Sequence, residues 1–548
     1  VADRKSLTLV ALEPRGIYYA SKTVQQLLKA KRVGDRVGIP MMEVTDWPDL
    51  EDRGLWGCDA YHHMRWLSDR KMNYMEQIAS PRVDENKRPI AWLSEAKMQM
   101  VTEGPTYGIN PVPAVLHLEQ LGGGGLFDQY PELVAKKTGE REKSPICYSQ
   151  PVFVDILADW LVGYAQMPGV TEVDVWMAEN LAQKGGCECD ECSKHDRNVL
   201  EAQVIVAAYE KAKKRVPSLR IRTLTSEETE NSNIEVFKVF PPEVKIWYYH
   251  SLLTYTAGET ALLWRPYLED FAKGGRWLGV CPSLFAAGHF THPFTAAQFV
   301  HYRLNEFVDK GLKGLIGYAI PRTYYLSFNV EAAMEWAWNA KGRTPREFAY
   351  SWAVREGLPD PNLFAEWSET LGPVAWDVYG SDFPVGEQRN TPGKVAKRLR
   401  DGTLKELGFV LWDAYRSPWG DIKSEAQLEQ DSILADKAVQ LARQMGREEY
   451  IHESLIAQGY IRSLKALWEL KQIVEPSEIA EKDRAAAKTY FRMYIDGLRQ
   501  ASDSLPKWEA TLPLRKQDED FTEKPVGVIA EMIKEMQQVA SDFGILLQ

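Results

Sequence analysis

Between about residue 50 and about residue 345, short apolar runs alternate with amphipathic stretches of helical spacing, the pattern of a (β/α) barrel. The apolar runs end near Gly54–Cys58, Met72–Asn73, Val112–Val115, Val173–Met177, Arg220–Leu224, Val244–Tyr249, Trp277–Val280 and Gly314–Ala319. Eight is the number that a closed barrel needs, and its chemistry belongs at the C-terminal ends of the strands. Upstream, Leu7–Leu12 is strand-like, and Gly16–Leu28 has apolar residues at helical spacing. After about 345 the strand pattern stops. Ser424-Glu-Ala-Gln427 reads as a capping box, and Glu475-Pro-Ser-Glu478 separates two helical stretches. Ile433–Gln444, Ile451–Ile473 and Ile479–Leu505 are amphipathic and carry no chemical motif. The predicted class is α/β: a TIM-type (β/α)8 barrel over 46–345, followed by a C-terminal helical domain over 346–548, structural or dimerising, so that a homodimer is one expectation.

Composition narrows the partners. A chain of 548 residues predicts two to four units. It has no apolar run long enough to cross a membrane. A net charge of -11 argues against general affinity for nucleic acid or acidic lipid. The 18 Trp and 24 Tyr suit stacking on sugar C–H faces, and serve equally as core material. The chain opens with Val and shows no signal peptide, which leads us to expect a processed, periplasmic or secreted protein whose export signal has been removed.

The segment Val44-Thr-Asp-Trp-Pro-Asp-Leu-Glu-Asp-Arg53-Gly54 reads as a strand entry with a polar loop, Pro48 fixing φ and Gly54 permitting close backbone approach. It resembles the entry to the catalytic barrel in the glycoside hydrolase superfamily that includes families 20, 67 and 84. There the Arg of this motif sits in the sugar pocket, at the end of the first strand. Gly16–Leu28 is similar to the helix that closes the small α/β domain preceding these barrels. The earlier strands of that domain are not in this chain, so 1–45 reads as a remnant or a truncated domain. The resemblance implies an enzyme that binds the end of a carbohydrate chain, with no cofactor required for catalysis.

The fourth strand ends Trp176-Met-Ala-Glu179-Asn180, where this superfamily puts its general acid. Glycoside cleavage needs one carboxylic acid to protonate the leaving oxygen. Glu179 is the first choice for it. In family 20 the preceding residue is an Asp that orients an acetamido group; here it is Ala178, which counts against N-acetylhexosamine substrates. A second carboxylate is expected among Glu227, Glu228 and Glu230 beyond the fifth strand, or at Asp59. The seventh strand ends Cys281-Pro-Ser283, with no carboxylate, so the stereochemical mechanism stays open. For substrate binding the resemblance and the strand ends point to Arg53, Asp59, His62, His63, Asn73, His117, Asn180, Tyr249, His250 and Asn329. Arg53 offers a rigid donor fork for hydroxyls or a uronate. The three histidines read equally well as supporting residues.

Cys187-Glu-Cys189-Asp-Glu-Cys192-Ser-Lys-His195 follows directly. This spacing suits soft tetrahedral coordination, most naturally of Zn²⁺, by Cys187, Cys189, Cys192 and His195. A disulfide within the cluster or free thiols are the alternatives. Four such ligands close the coordination sphere, so a metal here stiffens a loop rather than doing chemistry. Gly122–Gly125 lacks the Lys-Ser/Thr of a phosphate loop and reads as a connector. The expected function is an exo-acting glycoside hydrolase that removes a terminal sugar from a complex glycan. The rivals are a catalytically inactive glycan-binding barrel and a hydrolase dependent on the cysteine-bound metal.

Overall fold

The computed structural model describes the chain apart from residues 4, 31, 34, 40, 57–63, 137–144, 180–185, 227–228, 250–265, 283, 285–291, 319–326, 381–393, 405–418, 420–421, 477, 513–522 and 548. Eight strands form a closed barrel in chain order. They are β1 (Asp52–Trp56), β2 (Tyr74–Ala79), β3 (Asn110–Val115), β4 (Glu172–Trp176), β5 (Arg220–Thr225), β6 (Lys245–Tyr248), β7 (Leu278–Val280) and β8 (Gly314–Tyr318). Neighbours run parallel, with Ala114 opposite Asp174 and Val175 opposite Thr223. Lys71-Met-Asn73 ends no strand. It leads into β2, which begins at Tyr74.

Period-two alternation puts one side chain in two inside the barrel. Tyr74, Val112, Ala114, Trp176, Leu224, Trp247, Tyr249, Cys281 and Ile316 form its apolar filling. Space for the Trp247 ring comes from β7 and β8, which carry glycine where they pass it. A Cβ on Gly279 would lie 2.1 Å from the Trp247 ring, and one on Gly314 2.6 Å from Trp277. At the N-terminal end the filling turns ionic. Arg222 is bonded to Asp52 at 2.7 Å and to Glu172, with Tyr74 and Trp277 against its guanidinium. Burial opposes its charge, but Asp52, Tyr74 and Glu172 together raise its pKa and keep it ionised. Burial likewise opposes the Asp52 charge, and Arg222 and Lys245 hold its pKa below the usual carboxylate value. Above this layer a polar string runs from Trp247 Nε1 to the Tyr74 hydroxyl (3.2 Å), and from that hydroxyl to Glu76 (2.7 Å). Glu76 meets Asp174. Burial and the neighbouring Glu76 push the Asp174 pKa well above the normal carboxylate range.

Helix Pro14–Ala30 forms as its periodicity predicts. Lys22 pairs with Asp69 at 2.9 Å, and the Tyr18 hydroxyl donates to the Tyr107 carbonyl. Leu7–Leu12 is not a strand. Leu7 makes one bridge, to Ala2, and Leu12 is fully exposed, so among the described residues the run has neither a sheet to join nor a core to enter.

The chain divides into two compact units: Val1–Thr254 with Leu263–Pro282 and Phe307–Gly317, and Tyr255–Leu262 with Ser283–Glu306 and Tyr318–Gln548. The second is helical, with long helices at Pro361–Gly380, Glu425–Met445, Glu448–Ile473, Arg484–Glu509 and Glu523–Asp542. Sequence segmentation at 345 follows where strands cease. Compactness draws the line differently, because Ser283–Glu306 bonds to later helices. The Thr295 amide donates to Glu453 at 2.7 Å, and His292 Nε2 meets the Tyr460 hydroxyl at 2.9 Å. Ser424 caps its helix by accepting from the Gln427 amide, while the Gln427 side chain reaches back to the Lys423 amide. A fully reciprocal capping box lies elsewhere, between Thr344 and Glu347.

Candidate active site

β4 delivers its C-terminal residues to the barrel mouth, and the neighbouring segments fix them atom by atom. Trp176 is buried in the barrel with the His117 ring against it at 5.1 Å, edge to face. The Ala178 amide donates to Glu201 at 2.9 Å, and the Glu179 amide donates to Glu119 at 2.9 Å. Glu201 also accepts from the Tyr148 hydroxyl at 2.9 Å. Burial, with Glu119 nearby, raises the Glu201 pKa to about 8 against the opposing bonds from Tyr148 and Ala178. Two fully buried carboxyls thus clamp two consecutive peptides. The Glu179 side chain leaves this clamp with about a third of its surface open to solvent.

His117 lies two residues beyond β3. Its Nδ1 is 2.7 Å from the Met177 carbonyl and its Nε2 is 3.3 Å from Glu179 Oε2. A carbonyl can only accept, so Nδ1 carries hydrogen. That leaves Nε2 facing Glu179 Oε2, within reach of a shared proton. The two form a carboxyl–imidazole pair at a barrel mouth, braced from behind.

The other sequence-derived residues divide. Tyr249 sits just past β6 in the upper barrel filling, its amide bonded to the Thr225 carbonyl. Asp59, His62, His63, Asn180, Glu227, Glu228 and His250 lie outside the described residues. Glu230 accepts from the hydroxyls of Tyr248 (2.9 Å) and Tyr267 (3.2 Å). Tyr248 alternates with the inward-facing Trp247 and Tyr249, so Glu230 is held on the outer side of the barrel wall.

Arg53 and Asn73 are corrections. Arg53 is the second residue of β1, roughly 10 Å below the strand's end at 3.3 Å per residue. It is 1 % exposed, and its guanidinium donates to the carbonyls of Leu50, Glu51 and Lys71 at 2.7–3.1 Å. Lys71, at φ 58°, turns its carbonyl onto that fork. Asn73 accepts from the Arg53 amide and donates to Glu51. The two motifs therefore lace the N-terminal ends of β1 and β2 together. Asn329 is also internal: its amide spans the carbonyls of Leu284 and Phe294 and the amide of Ala296, and it is fully buried.

His195 is corrected as a metal ligand. Its ring is 45 % exposed, with Nε2 3.9 Å from Glu191. Cys187, Cys189 and Cys192 are joined instead by Cys147, all four sulfurs lying within 4.8 Å of one another. Sequence reading missed Cys147, Tyr148, Glu119 and Glu201. Only Glu201 left a signal, a charged residue within the apolar stripe of helix Arg197–Arg215 that also holds Ala202, Ile205, Ala208 and Ala212. A cleft of about 460 Å³ lies at the opposite end of the barrel, lined by Asp52, Glu172, Arg222 and Lys245. Those groups already pair with one another, and by the barrel rule that end carries stability rather than chemistry.

The fold is that of barrel glycoside hydrolases. A family 138 enzyme that targets pectin rhamnogalacturonan II superimposes with a TM-score of 0.63 at 11 % identity, over 97 % of this chain and 72 % of that one. A family 89 enzyme from Clostridium perfringens, solved with PUGNAc, gives a TM-score of 0.51 at 10 % identity, over 97 % and 69 %. No family model matches the sequence, and no curated protein matches it.

Proposed function

We propose that this chain is a glycoside hydrolase that removes a terminal sugar from a complex glycan, with Glu179 as its general acid. The observation that carries the reading is the Glu179–His117 pair: a carboxyl just past the end of β4, about a third exposed, 3.3 Å from an imidazole whose other nitrogen is committed to the Met177 carbonyl. Such a carboxyl can hand a proton to a glycosidic oxygen and recover one through the pair. The clamps from Glu119 and Glu201 hold its backbone while it does so. The likeness in fold to a pectin-targeting enzyme supports putting pectic oligosaccharides among the substrates tested. The water-activating or nucleophilic partner is sought among Glu227, Glu228 and Asp59. A separation of roughly 5–5.5 Å from Glu179 predicts retention, and ~6.5–9.5 Å inversion.

A barrel that binds glycans without turnover is the second reading. It is favoured by Ala178, fully buried with no carboxylate to offer, and by Cys281 at the end of β7, also fully buried. A panel of aryl α- and β-glycosides, glucuronides, N-acetylhexosaminides and pectic oligosaccharides separates the two. Release of a monosaccharide that disappears in Glu179→Gln is the expected result. Saturable glycan binding, with no product from any member of the panel, would support the second reading instead.

A further inference from the structure

Cys147 lies 40 residues upstream of Cys187, in the segment after β3, while Cys187, Cys189 and Cys192 follow β4. The fold brings them together. Cys147 Sγ is 3.7 Å from Cys189 Sγ and 3.8 Å from Cys192 Sγ, and the four sulfurs lie within 4.8 Å of one another. A tetrahedral zinc ion with Zn–S bonds of about 2.3 Å requires sulfur–sulfur edges of about 3.8 Å. Three of the four cysteines are buried. Donors surround them: the Cys192 amide points at Cys189 Sγ (3.4 Å), Ser149 Oγ lies 3.2 Å from Cys147 Sγ and 3.4 Å from Cys189 Sγ, and Gln150 Nε2 lies 3.9 Å from Cys147 Sγ. Such donors stabilise thiolates around a metal. A cavity of about 20 Å³ beside Cys187 and Cys192 is lined in part by Arg197, a cation next to a cluster that would carry net negative charge when metallated.

We propose that Cys147, Cys187, Cys189 and Cys192 bind one Zn²⁺ as a closed four-thiolate centre that ties the segment after β3 to the loop after β4. Each thiol gives up its proton to solvent as the metal binds, and no redox step is involved. Soft thiolates in a tetrahedral set select zinc over oxygen-seeking divalent ions. The centre does no chemistry itself. Its neighbours reach the candidate acid: Tyr148, adjacent to Cys147, bonds to Glu201, which holds the Ala178 amide next to Glu179.

The test is the metal content of the full chain, purified under reductant with zinc supplied, alongside Cys147→Ser and His195→Ala. About one zinc per chain is expected in the wild type and in His195→Ala. Co²⁺ substitution should give the intense thiolate charge-transfer and tetrahedral ligand-field bands. Cys147→Ser should retain zinc at least tenfold more weakly in competition with a chelator. Wild-type protein that holds no zinc and takes up no Co²⁺ would overturn the proposal, and so would iron in zinc's place. Loss of metal from His195→Ala would restore the three-cysteine, one-histidine set. A disulfide joining Cys147 to a loop cysteine in the zinc-free native protein would count equally against it. The wild-type and His195→Ala measurements stand even if Cys147→Ser fails to fold.

Discussion

Buried charges decide several properties of this protein one residue at a time. Arg222 is sealed in the barrel between Asp52 and Glu172. Removing one member of a buried ion set leaves the others uncompensated, so Arg222→Met should cost about 3–5 kcal/mol of stability by denaturant titration, the range for breaking a buried pair. Glu453 titrates instead. Burial raises its pKa to about 7 against the bonds from Thr295. The unfolded value is near 4.5, so between pH 4.5 and 7 the folded state binds the extra proton. The stability it contributes is therefore full below pH 4.5, falls as pH rises towards 7, and is flat above. Stability measured across pH 4–9 should show that fall in the wild type and lose that component in Glu453→Gln. Unequal legibility at this scale has a physical cause. Glu179 and His117 could be placed at the barrel mouth because they closely follow strands. Arg53 and Asn73 were misplaced because a motif shows that residues act together, not at which end of a strand they do so.

At the scale of elements, the apolar runs placed seven of the eight barrel strands and periodicity placed three of the five long C-terminal helices, since a two-residue or 3.6-residue repeat survives any rearrangement of neighbours. What they could not supply was how far each strand extends. Lys71–Asn73 resembles the end of a strand, yet it is spent on a turn whose carbonyl serves Arg53. Barrel closure depends on features that no periodicity reveals, such as the glycines facing Trp247. Gly279→Ala would put a methyl 2.1 Å from that ring, and overpacking of this kind should destabilise the fold by about 1–3 kcal/mol or more, read as a lowered midpoint in urea. The capping box at Thr344 offers a milder counterpart. Thr344→Ala should cost about 1 kcal/mol and leave any barrel activity unchanged.

In the whole molecule, long-range convergence sets what the chain can do. Cys147 escaped the sequence reading because its partners lie about forty positions away, and a spacing rule sees only the local three. Glu119 was hidden for the same reason, and Glu201 showed only as a charge within an apolar stripe: each acts on a peptide at the end of β4 from a different segment. Together they turn an ordinary strand end into a braced carboxyl. This carboxyl, Glu179, is proposed to protonate a departing glycosidic oxygen. The most direct measurement compares kcat/KM of wild type and Glu179→Gln on a pair of glycosides of the same sugar, one with a highly activated aryl leaving group and one with a sugar alcohol leaving group. An activated phenolate departs without a proton, whereas a sugar alkoxide does not. The mutant should lose about 10²–10⁴-fold on the sugar leaving group and far less on the activated one. Equal loss on both, or no loss on either, would rule Glu179 out as the acid.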